Sequence, residues 1–428
     1  MTMRFLVPTI LLVCAVSRQV RASEICGNSI DDDGDNVADE GCLVVGQCES
    51  PLSCGETGMI SPSTGSLRYA LGADVSPGVP WGPGIGFRRF YVSQFGPGAA
   101  PAYKTALGPR WGHTYATWID VVTGGPTRVM WHSTKGQDVL LDKTSSDATW
   151  DYFTPTPGHH FKEFKRRLAS PNEYELKMLD GASMQYDSVG RLKLIRDSLA
   201  TPNVVTLEYD GNAQLSRVID ASYKRQLLFG YTGSVMTSMK FQIYLSGAWS
   251  DQHTTTFGYT SGNLTSVTIG SQLAQTNVYT SSYLTSIQDG GGKALVNFVY
   301  DGATAGKIVR VDTPRGLVGY EFASARAQCT GSNKTALYFH KANTTSCTTD
   351  ADCGTGNLCG GKTGAGATGQ CFRGARCLTI SSPSEDVITS VSAFAGNSEA
   401  CEGACLEAID HVWKTVGNAL DLGAVKDP

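Results

Sequence analysis

Between Cys54 and Cys329 the chain has no cysteine, although 13 occur in its 428 residues. Whatever folds in that interval is held by burial, not by cross-links. Formal charge is also scarce. Lys, Arg, Asp and Glu make up 17% of the chain, with a net charge of −4 and a pI near 6.0. That balance exerts no general pull on nucleic acid or on an anionic membrane. No nucleic-acid partner is expected. Past the N-terminal segment, no apolar run is long enough to cross a bilayer as a helix. Neither G-x-S-x-G nor H-E-x-x-H occurs. The adjacent His159 and His160 would point to opposite faces of a strand and could not chelate one ion together. These absences weigh against an enzyme. The abundant residues are Gly, with 49 copies, and Tyr, Thr, Ser and Val. That mix suits strands and turns more than long helices.

The first residues read MTMRFLVPTILLVCAVSRQVRASE. Arg4 precedes an apolar run from Phe5 to Val16, and V-R-A follows. This is the pattern of a secretory signal spanning residues 1–22, cut after Ala22. A lipoprotein reading through Cys14 is the weaker alternative, because Val13 stands where a small residue is wanted. The protein is therefore expected to be secreted or held at the cell surface. Cysteine placement agrees. Cys26, Cys42, Cys48 and Cys54 cluster near the start, and Cys329, Cys347, Cys353, Cys359, Cys371, Cys377, Cys401 and Cys405 near the end. Two disulfide-stapled modules should flank a large cysteine-free segment.

Cys26 to Cys42 reads CGNSIDDDGDNVADEGC. Alternating carboxylates can wrap hard oxygens around calcium when a Gly lets the backbone turn, and Gly34 provides that turn. The expected ligands are Asp31, Asp33, Asp35, the carbonyl of Val37, Asp39 and Glu40, holding a structural Ca2+. The spacing is not that of an EF-hand. It resembles thrombospondin type 3 calcium loops and a metal-binding motif of secreted myxobacterial proteins. The simpler alternative is a solvated acidic loop. So many carboxylates in so short a stretch repel one another unless a cation neutralises them.

From residue 186 the chain becomes self-similar. YDSVGRLKLIRD, YDGNAQLSRVID, YTSGNLTSVTIG and YTSSYLTSIQD each open on Tyr, pass a turn-rich stretch and continue as alternating apolar and polar residues. The anchors Tyr186, Tyr209, Tyr231, Tyr259, Tyr279 and Tyr300 lie about 20–28 residues apart. Period two predicts strands, so each unit should be roughly one hairpin. The lines resemble the YD repeats of rearrangement-hotspot (Rhs) proteins, teneurins and the shell subunits of insecticidal toxin complexes. The preceding residues resemble the domain that introduces such repeats, through Thr64-Gly65, Arg89 with Tyr91, and Gly108 to Trp111. In that family the repeats spiral as one long sheet around a hollow shell. The family's self-cleaving aspartate pair and variable toxin tip have no counterpart here, so the resemblance implies a truncated shell segment without toxin activity.

The expected fold is all-β: a continuous antiparallel hairpin array forming a partial shell. The signal (1–22) and an acidic Cys-rich module (23–57) come first. An Rhs-type β domain (58–185), the array (186–325), a disulfide insertion (326–410) and the start of a further repeat (411–428) follow. GNLCGGKT, residues 356–363, fits a phosphate-loop pattern, but no apolar strand precedes it and no helix-forming stretch follows. The expected function is a non-enzymatic shell protein of a toxin-encapsulating or cell-contact system. Its partner would be a downstream Rhs core or toxin polypeptide, or cell-surface glycans. The alternatives are an adhesin or glycan-binding module using its tryptophans and sheet face, and, less favoured, an exported hydrolase.

Overall fold

The computed structural model describes residues 57–60, 65–75, 83–94, 106–121, 127–132, 138–155, 161–302, 304–313, 316–322, 329–340, 345–353, 357–363, 368–372, 374–382 and 387–395. All belong to the compact unit Glu49–Pro428. The signal, the acidic calcium loop with Asp31, Asp33, Asp35, Val37, Asp39 and Glu40, and the His159–His160 pair lie outside the described residues.

The expected all-β architecture is present. Among the described residues the one helical element is a 3-10 turn, Asp350–Cys353. Twenty consecutive strands, from Trp118–Val121 to Lys334–His340, each pair antiparallel with the next. In sheet order this wall continues through Gly374–Ser382 and Val387–Ala395, and its first strand, Trp118–Val121, meets the turn at Gly190–Arg191.

The repeat now has a physical explanation. Each anchor tyrosine pairs across its hairpin with a buried aliphatic: Tyr186 with Leu192, Tyr209 with Leu215, Tyr231 with Met236, Tyr259 with Leu264, Tyr279 with Leu284 and Tyr300 with Ile308. The register shifts immediately before every one of these tyrosines. Such a bulge bends the strand and re-aims the side chain. The phenol then reaches back to the previous hairpin. Tyr209 Oη donates to Leu192 O at 2.8 Å, Tyr231 to Leu215 O at 2.9 Å and Tyr259 to Met236 O at 2.7 Å. Tyr279 donates to Leu264 O at 2.7 Å and Tyr300 to Leu284 O at 2.8 Å. In the first two units the Asp after Tyr closes the turn. Asp187 Oδ1 accepts from the Val189 and Arg191 amides, and Asp210 Oδ1 from those of Asn212 and Gln214.

A second, smaller sheet is formed by β1 (Thr57–Ile60), β2 (Leu67–Ala70), β3 (Arg89–Val92) and β4 (Trp111–His113), in that order. It lies against the inner face of the wall. Phe87 packs on Phe229 and Phe257, and Tyr69 on Phe298. A single hydrophobic cluster contains both sheets. The disulfide module sits between Lys334–His340 and Gly374–Ser382. Its strands Ser346–Cys347, Leu358–Gly360 and Gly369–Phe372 are braced by Cys347–Cys359 and Cys353–Cys371, and Cys329–Cys377 ties its flanks. Disulfides near the C-terminal end are therefore present, and among the described residues six cysteines are paired; Cys401 and Cys405 lie outside those residues.

Tyr231→Phe removes the donor to Leu215 O and should cost about 1–2 kcal/mol. Tyr223→Phe, on an exposed turn, should change stability by less than about 0.5 kcal/mol. Urea unfolding of both variants measures the difference.

Candidate functional site

Two regions concentrate chemistry. The first is a cleft of about 580 Å³ between the wall and the disulfide module, lined in part by Asp301, Lys307, Glu321, Phe322, Asp350 and Lys362. It contains the end of GNLCGGKT. Here the sequence motif does not build a phosphate loop. Cys359 lies within a strand and is bonded to Cys347. Its amide donates to Asp350 Oδ1 at 2.8 Å, and Lys362 Nζ donates to Thr348 O. The amide and ammonium that a phosphate would need are already engaged, and strand Gly369–Phe372 follows the loop. The sulfurs of Cys347, Cys353 and Cys359 lie within 4.8 Å of one another. All three are oxidised, so they are not thiolate ligands for a metal.

The cleft's other charges are also matched. Lys307 Nζ lies 3.7 Å from Asp301 and 4.8 Å from the centroid of Phe322. Glu321 accepts from Tyr338 Oη at 2.6 Å. Beside the cleft, Asp352 accepts from the amides of Thr349 and Thr348 and from the Thr348 hydroxyl, which hold its carboxyl down at about 2. These bonds tie the 3-10 turn in place. The arrangement is that of a braced structural module.

The second region is the seam where the small sheet meets the wall. Arg89 gives two hydrogen bonds to Asp74, at 2.6 and 2.7 Å, and one to Gln275 at 3.1 Å. Both members of that ion pair are less than 5% exposed. A pair this deep is costly to break, because either partner alone would be a buried charge. Trp111 Nε1 donates to Tyr279 Oη at 2.8 Å, and the Leu284 amide donates to Tyr91 Oη at 3.1 Å. The Leu67 amide donates to Ser93 Oγ at 2.8 Å, and that hydroxyl donates to Gly306 O at 2.5 Å. So Arg89, Tyr91 and Trp111, which entered the sequence reading only as marks of resemblance, are the groups that fasten the inner sheet. Asp74, Gln275 and Ser93 were not singled out. Nothing local in the sequence distinguishes them, since each is defined by a partner far away in the chain.

His113 completes the seam. It stacks 5.2 Å from Phe87 and 6.5 Å from Phe229. The Tyr115 amide donates to its Nδ1 at 3.3 Å. Burial pushes its imidazole down to about 3. In an unfolded chain the same group protonates near 6.5. The seam's contribution is therefore full above pH 6.5 and falls as pH drops from there toward 3, by about 1.4 kcal/mol per unit.

No family model and no curated protein matches this chain. Among solved structures, the crystal structure of TcdB2-TccC3-TEV aligns at 12% identity and a TM-score of 0.25, covering 79% of this chain and 22% of that one. The N-terminal domain of effector protein SpvB from Salmonella typhimurium strain LT2 aligns at 9% identity and a TM-score of 0.21, covering 72% of this chain and 99% of that one. TM-scores this low carry no argument, so the reading of function depends on the residues themselves.

His113→Phe keeps a ring in the stack and removes the titration. The stability lost between pH 7 and pH 5 should shrink by about 2 kcal/mol relative to the unaltered protein. Urea unfolding at the two pH values tests this; an unchanged difference contradicts it.

Proposed function

We propose that this chain is a non-enzymatic YD-repeat wall protein of the cell exterior, belonging to a toxin-related or cell-contact system of the Rhs type. The observation that carries the reading is the series of five tyrosine-to-carbonyl hydrogen bonds that link six Tyr-led hairpins. Every hairpin uses the same bulge and sets its tyrosine opposite a buried apolar side chain, and five of the six make the same backward reach. This is a device for making one stiff, curved sheet, and the side chains it conserves from hairpin to hairpin are all engaged in building the wall.

The wall acts as a filled scaffold. Along strands 225–308 its inner face is covered by β1–β4, through Tyr69, Trp111 and Tyr91, and by Phe87 just before β3. That stretch offers the interior to its own chain in place of a cargo, and partners meet the protein from outside. Toxin-type polypeptides and cell-surface glycans both fit that role. Export is supported by the leader-like pattern at 1–22 and by the three disulfides among the described residues, a bond type that persists in oxidising compartments. Asp31, Asp33, Asp35, Val37, Asp39 and Glu40 would hold a structural Ca2+ in the exported protein.

Expression of the full chain with its leader tests the reading. The recovered protein should begin at Ser23, lie in the exported fraction and leave Cys329, Cys347, Cys353, Cys359, Cys371 and Cys377 unlabelled by maleimide until reduced. Chelator should lower its melting temperature, and Asp33→Ala should abolish that response. Cytoplasmic retention with free thiols contradicts the exterior role, and a melting curve indifferent to chelator removes the calcium site.

A further inference from the structure

Between Asp251 and Asp289 there is no Asp, Glu, Lys or Arg. That interval supplies most of the strands Ala248–Thr260, Asn263–Ile269, Gln272–Thr280 and Tyr283–Asp289, which are neighbours in the wall. Their inward residues, including Phe257, Leu264, Val267 and Ile287, belong to the core. Their outward residues are uncharged and many bear hydroxyls, with the aliphatics Ile269, Leu273 and Val278 exposed among them. Thr256 stands opposite Thr268, and Ser266 opposite Thr276. Thr256 is exposed, and the other three are half-buried. A solvent-facing β surface ordinarily carries charge for solubility and to discourage association. Here a broad patch carries none.

An aromatic pair stands at the rim of the same face. The hairpin Val235–Leu245 and Ala248–Thr260 is longer than those beside it. Near its tip Tyr244 lies opposite Trp249, with ring centroids 5.3 Å apart at 63°. Tyr244 alternates with the core residues Met239 and Phe241, so the pair points outward; Tyr244 is 41% exposed. The tip turns through Ser246 and Gly247, both at positive φ, which fixes the hairpin geometry. The nearest charges on this face, Lys240 and Asp251, neutralise each other at 2.7 Å.

We propose that this outer face binds a neutral, hydroxyl-rich polysaccharide. An anionic or cationic polymer would find no opposite charge here and would lose its hydration without compensation. A neutral sugar chain needs hydrogen-bonding hydroxyls along its edges and an aromatic surface for its apolar ring faces. The threonine and serine rows supply the first, and Trp249 with Tyr244 the second. Because the groups stand on a hydrogen-bonded sheet, little ordering is required on binding, and two aromatics can dominate the affinity. This binding goes beyond the wall role, whose own tests read export and folding and are indifferent to polymer.

Affinity electrophoresis of the full chain tests the proposal, with hydroxyethylcellulose, dextran and laminarin as neutral probes and alginate and heparin as charged ones. At least one neutral polymer should retard the protein, equally at low and high salt. Trp249→Ala should weaken that retardation tenfold or more, and so should Thr256→Lys, which alters an exposed position and leaves the fold intact. Trp150→Ala, whose ring lies under Lys165 on another part of the wall, should bind as the unaltered protein does. Three results overturn the proposal: no retardation by any neutral polymer; retardation by charged polymers alone that fades with salt; or neutral binding that survives Thr256→Lys.

Discussion

A tyrosine hydroxyl reaching the backbone carbonyl of the preceding hairpin is the contact on which this structure depends. It is made five times in succession, from Tyr209, Tyr231, Tyr259, Tyr279 and Tyr300. Each bond requires the previous hairpin to be in place, so it couples neighbours beyond the strand pairing itself. The buried end of each bond is an aliphatic residue no more than 2% exposed, where an unpaired carbonyl would be costly. The first anchor has no Tyr-led hairpin before it. Tyr186 Oη instead accepts from Trp131 Nε1 at 2.9 Å and lies 3.1 Å from Thr117 Oγ1. Burial pushes its phenol up to about 12. The series thus begins on the strands that precede it, and the array and those strands are one construction.

The inner sheet depends on the same turns. Its linking segments run along the Tyr-led ends of the hairpins, where the Met236 amide donates to Ala106 O and the Ile308 amide to Gly65 O. Gly306 makes that approach feasible: at φ 74°, a Cβ there would lie 2.6 Å from Ser93 O. Gly190, at φ 87°, does the same for the wall's first strand, where a Cβ would lie 2.0 Å from Ile119 O. The glycines in these turns therefore serve a packing role as well as a turning one. The ion pair of Arg89 with Asp74 and the stacked His113 then fix the small sheet laterally.

Much of this was readable in the residue order. Tyr at regular intervals, alternation at period two, and Asp or Gly after Tyr together specify hairpins, because each feature is local. The late cysteines announced a stapled insertion for the same reason. Their pairing was not readable, since Cys347–Cys359 and Cys353–Cys371 interleave in sequence around a three-stranded sheet. The inner sheet was not readable either. β1–β4 look like ordinary short strands, and their place is set by partners such as Phe229, Gln275 and Phe298, far along the chain. GNLCGGKT shows the converse: a motif matched by letters acquires the opposite structure once a disulfide and an edge strand claim its residues.

If the inner sheet and the Tyr-linked wall are one cooperative body, they must open together. Native-state hydrogen exchange measures this directly. The account predicts that the amides of Leu67, Tyr91 and Trp111 exchange with the same opening free energy, and the same denaturant dependence, as those of Leu228, Phe257 and Phe298. Amides of the inner sheet that open at markedly lower free energy, while the wall stays closed, would contradict it.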